Sequence, residues 1–313
     1  MRGNNNVSFW DIKKDGITQS LMSCFQGCER KAYYRYKLGL TNPETTVALN
    51  FGNSMHRLIE LYLTGGQEKE AFKQLETELL NADTSLTTTN EQAIEELLAQ
   101  LEPVFFGWVD YWKMKQAHKW VALEKEFSIP FMDTGINLRG KVDGIYETNK
   151  GNLGILETKT MGQISEDILY KLSFDRQLML YCYAIGSMFN NRVTNCTYNI
   201  IRRPLLRRGK SETLDTFCAR IKEDIAKRPE HYFTQYEISI KQVDVFNIAV
   251  MYKEVVKAIK RFANKPIKKE GAYIQNANEC IKVYGSCEYI GKCSNCIDLK
   301  PLVMKDKVFS ELE

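Results

Sequence analysis

No stretch of this chain reaches the roughly 18 consecutive apolar residues of a membrane-spanning helix, so no membrane partner is expected. The opening Met1-Arg2-Gly3-Asn4-Asn5-Asn6 is polar and lacks a signal-peptide core, which points to an intracellular protein. No internal repeat and no low-complexity tract occur, so solenoid and biased-composition readings fall away. Strong charge of either sign is also missing. The net charge is +4 over 313 residues, and composition alone does not argue for nucleic acid. Without a secretion signal, nine cysteines do not read as a disulfide framework.

What is present is globular: 44% hydrophobic and 11% aromatic residues, in a length that suits one large domain or two small ones. The cations are clustered. Arg202, Arg203, Arg207, Arg208 and Lys210 fall in one short stretch, and Lys257, Lys260, Arg261, Lys265, Lys268 and Lys269 in another. Such runs form either solvated faces or contacts to a phosphate backbone.

The chain is organised around residues 136–159. Apolar and polar residues alternate from Ile136 to Tyr146, a turn follows at Asn149-Lys150-Gly151-Asn152, and Leu153 to Thr158 reads as a second strand. The pattern predicts a β-hairpin. It carries Asp143 on one strand and Glu157-x-Lys159 on the next, with Glu157 and Lys159 on one face. A glutamate and a lysine on an otherwise apolar strand are costly to bury without a purpose. Two carboxylates and a lysine suit phosphodiester hydrolysis: hard oxygen ligands hold Mg²⁺ or Mn²⁺, and the ion lowers the pKa of a bound water. The bland alternative is a surface salt bridge beside a turn aspartate.

Around the hairpin, residues 1–16 read as a polar arm and 17–313 as a single domain. A helix is expected from Ile17 through Tyr36. Its Tyr33, Tyr34 and Tyr36, interleaved with Arg30, Lys31, Arg35 and Lys37, suit either base stacking or packing on the core. A second helix begins near Asn50 with His56 in its first turn and Glu60 on the same face. Residues 67–120 read as a helical insertion broken between 81 and 90, and 124–131 as a strand. A connecting segment spans 160–174. Then come an apolar helix from Asp175, with Gln177 and Tyr181 projecting together, a strand at 193–202, and helices at 211–228 and 242–264. The remainder is read as short turns. Cys182, Cys196 and Cys218 read as core thiols, whereas 270–296 is a cysteine-rich C-terminal segment.

The order His56, Asp143, Glu157-x-Lys159, Gln177-x-x-x-Tyr181 resembles the RecB-like branch of the PD-(D/E)XK nuclease superfamily. Phe51-Gly52-Asn53-Ser54-Met55-His56 resembles its histidine motif and Gly140-Lys141-Val142-Asp143-Gly144 its aspartate motif. Val142 stands where the superfamily often has proline, as in many RecB-like members. The resemblance covers about residues 17–296 and implies an α/β, restriction-endonuclease-like core: a central mixed sheet flanked by helices. It implies metal binding by His56, Asp143, Glu157 and the carbonyl of Thr158, water positioning by Lys159, and site-ordering or DNA-holding roles for Gln177 and Tyr181. The expected activity is a metal-dependent DNA nuclease, an exonuclease on single strands or ends. The expected setting is recombination, repair or phage replication, in the cytoplasm of a bacterial or phage-infected cell. A separate helicase or recombination protein is an expected partner. The alternatives are a structure-selective endonuclease and a non-catalytic DNA-binding module.

The same resemblance implies a [4Fe–4S] cluster held by Cys28, Cys280, Cys287 and Cys293. The spacing departs from the commoner C-x2-C-x5-C. Cys287, Cys293 and Cys296 form an alternative trio, and zinc, with Cys24 contributing, is the alternative metal. Arg202, Arg203, Arg207 and Arg208 are the candidate nucleic-acid contacts.

Overall fold

The computed structural model describes residues 8–42, 47–81, 91–115, 119–282, 285–295, 301–310 and 312. The principal elements are α1 (Gln19–Gly27), α2 (Val47–Leu63), α3 (Glu68–Asn81), α4 (Glu91–Lys115), β1 (Lys119–Pro130), β2 (Asn137–Glu147) and β3 (Leu153–Met161). They are followed by α5 (Glu166–Leu172), α6 (Arg176–Phe189), β4 (Val193–Arg202), α7 (Leu214–Lys227), β5 (Phe233–Ser239) and α8 (Gln242–Ala263).

Five strands form one mixed sheet in the order β1-β2-β3-β4-β5. The hairpin is there as expected: β2 and β3 pair antiparallel, with Gly144 opposite Leu156. β3 and β4 are parallel, with Glu157 beside Tyr198 and Lys159 beside Ile200. A parallel pair needs a crossover connection. Here it runs through α5 and α6, so the parallel step between β3 and β4 brings the Gln177 helix back across the Glu157 strand.

Each face of the sheet carries its own core. Ile145, Leu153 and Ile155 pack with α1, α6 and α8 on one side, around Leu178, Tyr198 and Tyr252. Leu156, Ile201 and Phe233 pack with α2, α4 and α7 on the other, around Phe51, Trp108 and Phe217. Ile155 and Leu156, adjacent on β3, thus face opposite cores, as strand alternation requires. The helices of 67–120 supply half of the buried residues of the second core, so this insertion forms one wall of the molecule.

Several expectations need correction. From Ser8 onward the N-terminal segment is docked: Trp10 is buried, lies tilted against Phe262 with ring centroids 6.1 Å apart, and donates its indole N–H to the Gly16 carbonyl at 2.9 Å. Residues 1–7 lie outside the described residues. The helix expected over 17–36 breaks at Cys28, whose φ of −158° and ψ of 115° are extended, and ends in a π-helical turn at Tyr33–Lys37. Tyr33, Tyr34 and Tyr36 are buried in the core, with Tyr33 stacked on Tyr273 at 4.1 Å, so they cannot serve as a stacking surface for bases. The stretch 160–174 contains α5. Phe233–Ser239, read as turn, is the edge strand β5. Among the described residues it pairs on one side only, with β4, and its short half-exposed pattern carries little periodicity.

Candidate active site

Asp143 sits where the β1–β2 ladder is interrupted. Lys125 faces Val142 and Leu123 faces Gly144, but Glu124 and Asp143 between them are unpaired, and Glu124 has a φ of 46°. Val142 and Ile145, three residues apart, both point into the first core. The register shift of this pair lies just beyond, between Trp120 and Ala122 opposite Tyr146 and Ile145. Asp143 Oδ2 accepts a 2.6 Å hydrogen bond from the Thr158 amide on β3, tying the two acidic strands together.

Glu157 is 6% exposed. Its Oε1 lies 2.7 Å from the Lys159 ammonium, which also donates to Gln177 Oε1 at 3.1 Å. Gln177 Nε2 in turn donates to the Tyr181 hydroxyl at 2.8 Å. Gln177 and Tyr181, one helical turn apart on α6, therefore form a chain of polar contacts leading to the lysine. Asp175, the N-cap of α6, accepts from the Gln177 amide and stands 3.8 Å from Lys159 Nζ. Tyr198 donates to Asp175 at 3.1 Å and steadies it from β4.

His56 reaches the site from the opposite face, on α2, with Nδ1 3.8 Å from Asp143 Oδ2. Gly52, one turn earlier, permits this approach: a Cβ there would stand 2.8 Å from the Thr160 hydroxyl on β3. The imidazole keeps an open edge, but the dense wall behind it lowers its pKa, leaving it neutral with a free lone pair at neutral pH.

Burial pushes the Glu157 carboxyl up to about 7, even against the attraction of Lys159. Asp143 is raised by burial as well, opposed by the Thr158 amide. Burial works against the charge of Lys159, yet Glu157 beside it holds its pKa above the ordinary lysine value. A second ring of charge surrounds this pair. Lys141 bridges Glu60 at 3.2 Å and Glu124 at 2.9 Å, and Arg57 holds Glu60 at 3.0 Å. Glu124 is pushed up to about 7 by burial and by the nearby Asp143.

The site thus crowds carboxylates beyond what its lysines neutralise. A hard divalent cation fits that deficit, and Asp143, Glu157, the Thr158 carbonyl and neutral His56 are the groups that could hold one. Among the described residues, no three His, Cys, Asp or Glu side chains lie close enough together to form a complete metal shell by themselves. The Lys159 ion pair occupies one oxygen of Glu157.

Every residue of the expected constellation therefore converges on one place. Sequence reasoning missed Lys141, Glu124 and Asp175. Lys141 stood inside the aspartate motif and Asp175 at the helix start, but which charge each one meets depends on α2, β1 and β4.

The basic runs divide. Arg202 donates to the carbonyls of His231 and Ile164, and Arg208 pairs with Glu96 at 2.6 Å. Both are engaged within the fold. Arg203, Arg207 and Lys210 line an open cavity of about 640 Å³ together with Arg208. It adjoins the end of β3, where the Arg203 amide donates to Met161 at 2.7 Å. In the second run, Lys257 pairs with Glu254 and Lys260 donates to the Thr134 carbonyl at 2.9 Å. Lys265 pairs with Glu29.

Cys28, Cys280, Cys287 and Cys293 line one small cavity between the start and the end of the chain, beside Arg30 and Tyr34. The Cys287 amide donates to the Cys280 carbonyl at 2.8 Å. Cys296 lies outside the described residues. Cys182 and Cys196 are buried with pKa values raised by burial, as core thiols should be, whereas Cys218 is only half-buried, beside Glu102, and is not one; burial pushes Cys24 up to about 11. No helix among the described residues is long and apolar enough to cross a membrane.

The fold is similar to that of a protein from Eubacterium rectale named as a candidate exonuclease, at 13% identity and a TM-score of 0.56, covering 92% of this chain and 91% of that one. A phage-related exonuclease from Haemophilus somnus 129PT matches at 14% identity and a TM-score of 0.32, over 71% of this chain and 95% of that one. No protein of curated function matches. The model of the PD-(D/E)XK nuclease superfamily matches residues 17–294, nearly the whole α/β core with every residue of the site described above. The chain belongs to the PD-(D/E)XK nuclease superfamily.

Proposed function

We propose that this protein is a divalent-metal-dependent deoxyribonuclease of the RecB-like kind, acting as an exonuclease on single-stranded DNA or DNA ends. The observation that carries the reading is the meeting of Asp143, Glu157, Lys159, Gln177, Tyr181 and His56, drawn from four elements and both faces of the sheet. Side chains so distant in sequence have no common structural need to meet at a place where burial disfavours their charges.

Asp143, Glu157, the Thr158 carbonyl and His56 would hold Mg²⁺ or Mn²⁺. Such an ion, when bound, polarises the phosphoryl group and lowers the pKa of a bound water. The remaining work belongs to the chain. Lys159, held by Glu157 and Gln177, is positioned to orient the attacking water and offset charge on the pentacoordinate phosphate. Gln177 and Tyr181 keep that ammonium in one rotamer. Lys141 restrains Glu60 and Glu124, which limits repulsion against Asp143. Arg203, Arg207 and Lys210 are proposed to meet the phosphate backbone, with Arg202 and Arg208 holding their loop in shape.

The four cysteines around one cavity support a [4Fe–4S] cluster that staples the chain's two ends, with zinc as the alternative. Soft thiolates select iron–sulfur clusters or zinc over the hard ions suited to the carboxylate site. The proposed setting is recombination, repair or phage replication inside a bacterial or infected cell, with a helicase or recombination protein as a proposed partner.

End-labelled DNA incubated with Mg²⁺ or Mn²⁺ tests the activity. Release of label from linear single strands, with closed circles left intact, is the expected result. Cutting of closed circles would replace it by an endonuclease. Binding without cleavage in either ion would leave only a DNA-binding module.

A further inference from the structure

The segment joining the Glu157 strand to the Gln177 helix carries two large rings directed at solvent. Phe174 is 81% exposed and Tyr170 63% exposed. They are four residues apart across the end of α5, where the Ser173, Phe174 and Asp175 amides each donate to carbonyls three residues back, keeping the chain in helical turns. The two rings therefore project from neighbouring positions of one turn. Lys171 between them is also exposed. Phe174 immediately precedes Asp175, which caps α6 through Gln177 and stands 3.8 Å from the Lys159 ammonium.

Exposed aromatic rings of this size are costly to leave in water, and nothing in the core requires them there. Alternation of aromatic and cationic side chains beside a nuclease site is the chemistry of a single-strand platform: bases stack on rings and cations meet the backbone. Duplex DNA, with its bases already stacked, offers no free face to such rings.

We infer that Phe174 and Tyr170 form a base-stacking platform that seats unpaired nucleotides next to the Lys159 site and gives the enzyme its preference for single strands. This inference rests on the nuclease reading above and names the residues that would set its substrate form. Phe174 is joined directly to Asp175, so a strand stacked on its ring would meet the segment that carries Asp175 and Gln177.

The test separates bases from backbone. Binding of fluorescein-labelled oligothymidylate and of an abasic oligomer of equal length is measured by anisotropy in EDTA, for wild type, Phe174→Ala and Tyr170→Ala. Wild type should bind the thymidylate more tightly. Each alanine should weaken thymidylate binding about fivefold or more and leave abasic binding unchanged, since each stacked base contributes about 1 kcal/mol or more. Phe174→Trp should restore binding. Both positions are exposed, so melting temperatures should not move. In the presence of metal, the alanine variants should raise KM on single strands and keep wild-type kcat. Equal binding of thymidylate by wild type and variants, or equal losses on the abasic oligomer, would overturn the platform while cleavage by wild type left the nuclease reading standing. Failure of wild type to cleave any DNA would remove the nuclease reading itself.

Discussion

Replacing Glu157 by glutamine measures what the buried carboxylates cost the fold when no cation accompanies them. The folded protein raises this carboxyl from an ordinary 4.5 to about 7, chiefly through burial. Between those two values the folded state binds more protons than the unfolded one. Stability of the metal-free protein should therefore fall as pH rises through that window, with no penalty below 4.5 and the full penalty above about 7. The displacement corresponds to about 3 kcal/mol. At 6% exposure, solvent screening takes little from it. For 313 residues, with an unfolding entropy of roughly 2 cal/mol/K per residue, that is a shift of about 5 °C in melting temperature. Glutamine keeps the shape and an acceptor for Lys159 but cannot ionise. In EDTA at pH 8, Glu157→Gln should melt about 5 °C above wild type, and the two should converge towards pH 5. Saturating Mg²⁺ should raise wild type and leave the variant nearly unmoved, because ligand binding stabilises only the state that binds. Calorimetry across pH 5–8 gives the difference directly. Parallel pH profiles, or a variant less stable than wild type at pH 8, would refute the account of the site as a charge deficit.

The other expectations are simpler. Asp143→Ala and Lys159→Ala should each lower cleavage by about a hundredfold or more in a labelled-DNA assay, with unchanged circular dichroism; near wild-type rates would remove them from the chemistry. His56→Ala should shift the optimum away from Mn²⁺ towards Mg²⁺, since imidazole favours the softer ion, and an unchanged Mn²⁺/Mg²⁺ rate ratio would deny it a ligand role. Gly140→Ala places a Cβ 2.5 Å from Phe127 and 3.1 Å from Tyr181, so overpacking should cost about 1–3 kcal/mol in denaturant melts and lower kcat through the displaced tyrosine. Arg207→Ala should flatten the salt dependence of DNA binding, whereas Arg208→Ala, already paired with Glu96, should leave that slope intact. Cys28→Ser should bleach protein purified without oxygen, and a colourless wild type with one bound zinc would replace iron by zinc.

Much of the site could be read from the chain because its motifs are local. Asp143 and Glu157-x-Lys159 lie on two strands of one hairpin, and strand alternation alone puts Glu157 and Lys159 on the same face. Helical spacing likewise pairs Gln177 with Tyr181. The turn at 149–152, the α6 and α8 stripes and the β4 run all carried their periodicity openly. The sequence by itself therefore determined the order of the site-bearing elements, the shared face of Glu157 and Lys159 and the membership in a nuclease superfamily.

Only the tertiary structure decided what depends on neighbours far along the chain. Tyr33, Tyr34 and Tyr36 looked like a stacking stripe and became core, because residues some 230–250 positions later close over them. Tyr170 and Phe174 are left in solvent instead, in a stretch that sequence alone presented as a connection. Arg208 and Lys265 looked like phosphate ligands, yet Glu96 and Glu29 fold back onto them. The edge strand β5 acquires its hydrogen bonds from β4 and has little pattern of its own. Periodicity reports which side of an element is apolar; the burial and neutralisation of a given charge are set by whichever distant element packs against it, and that is decided on folding.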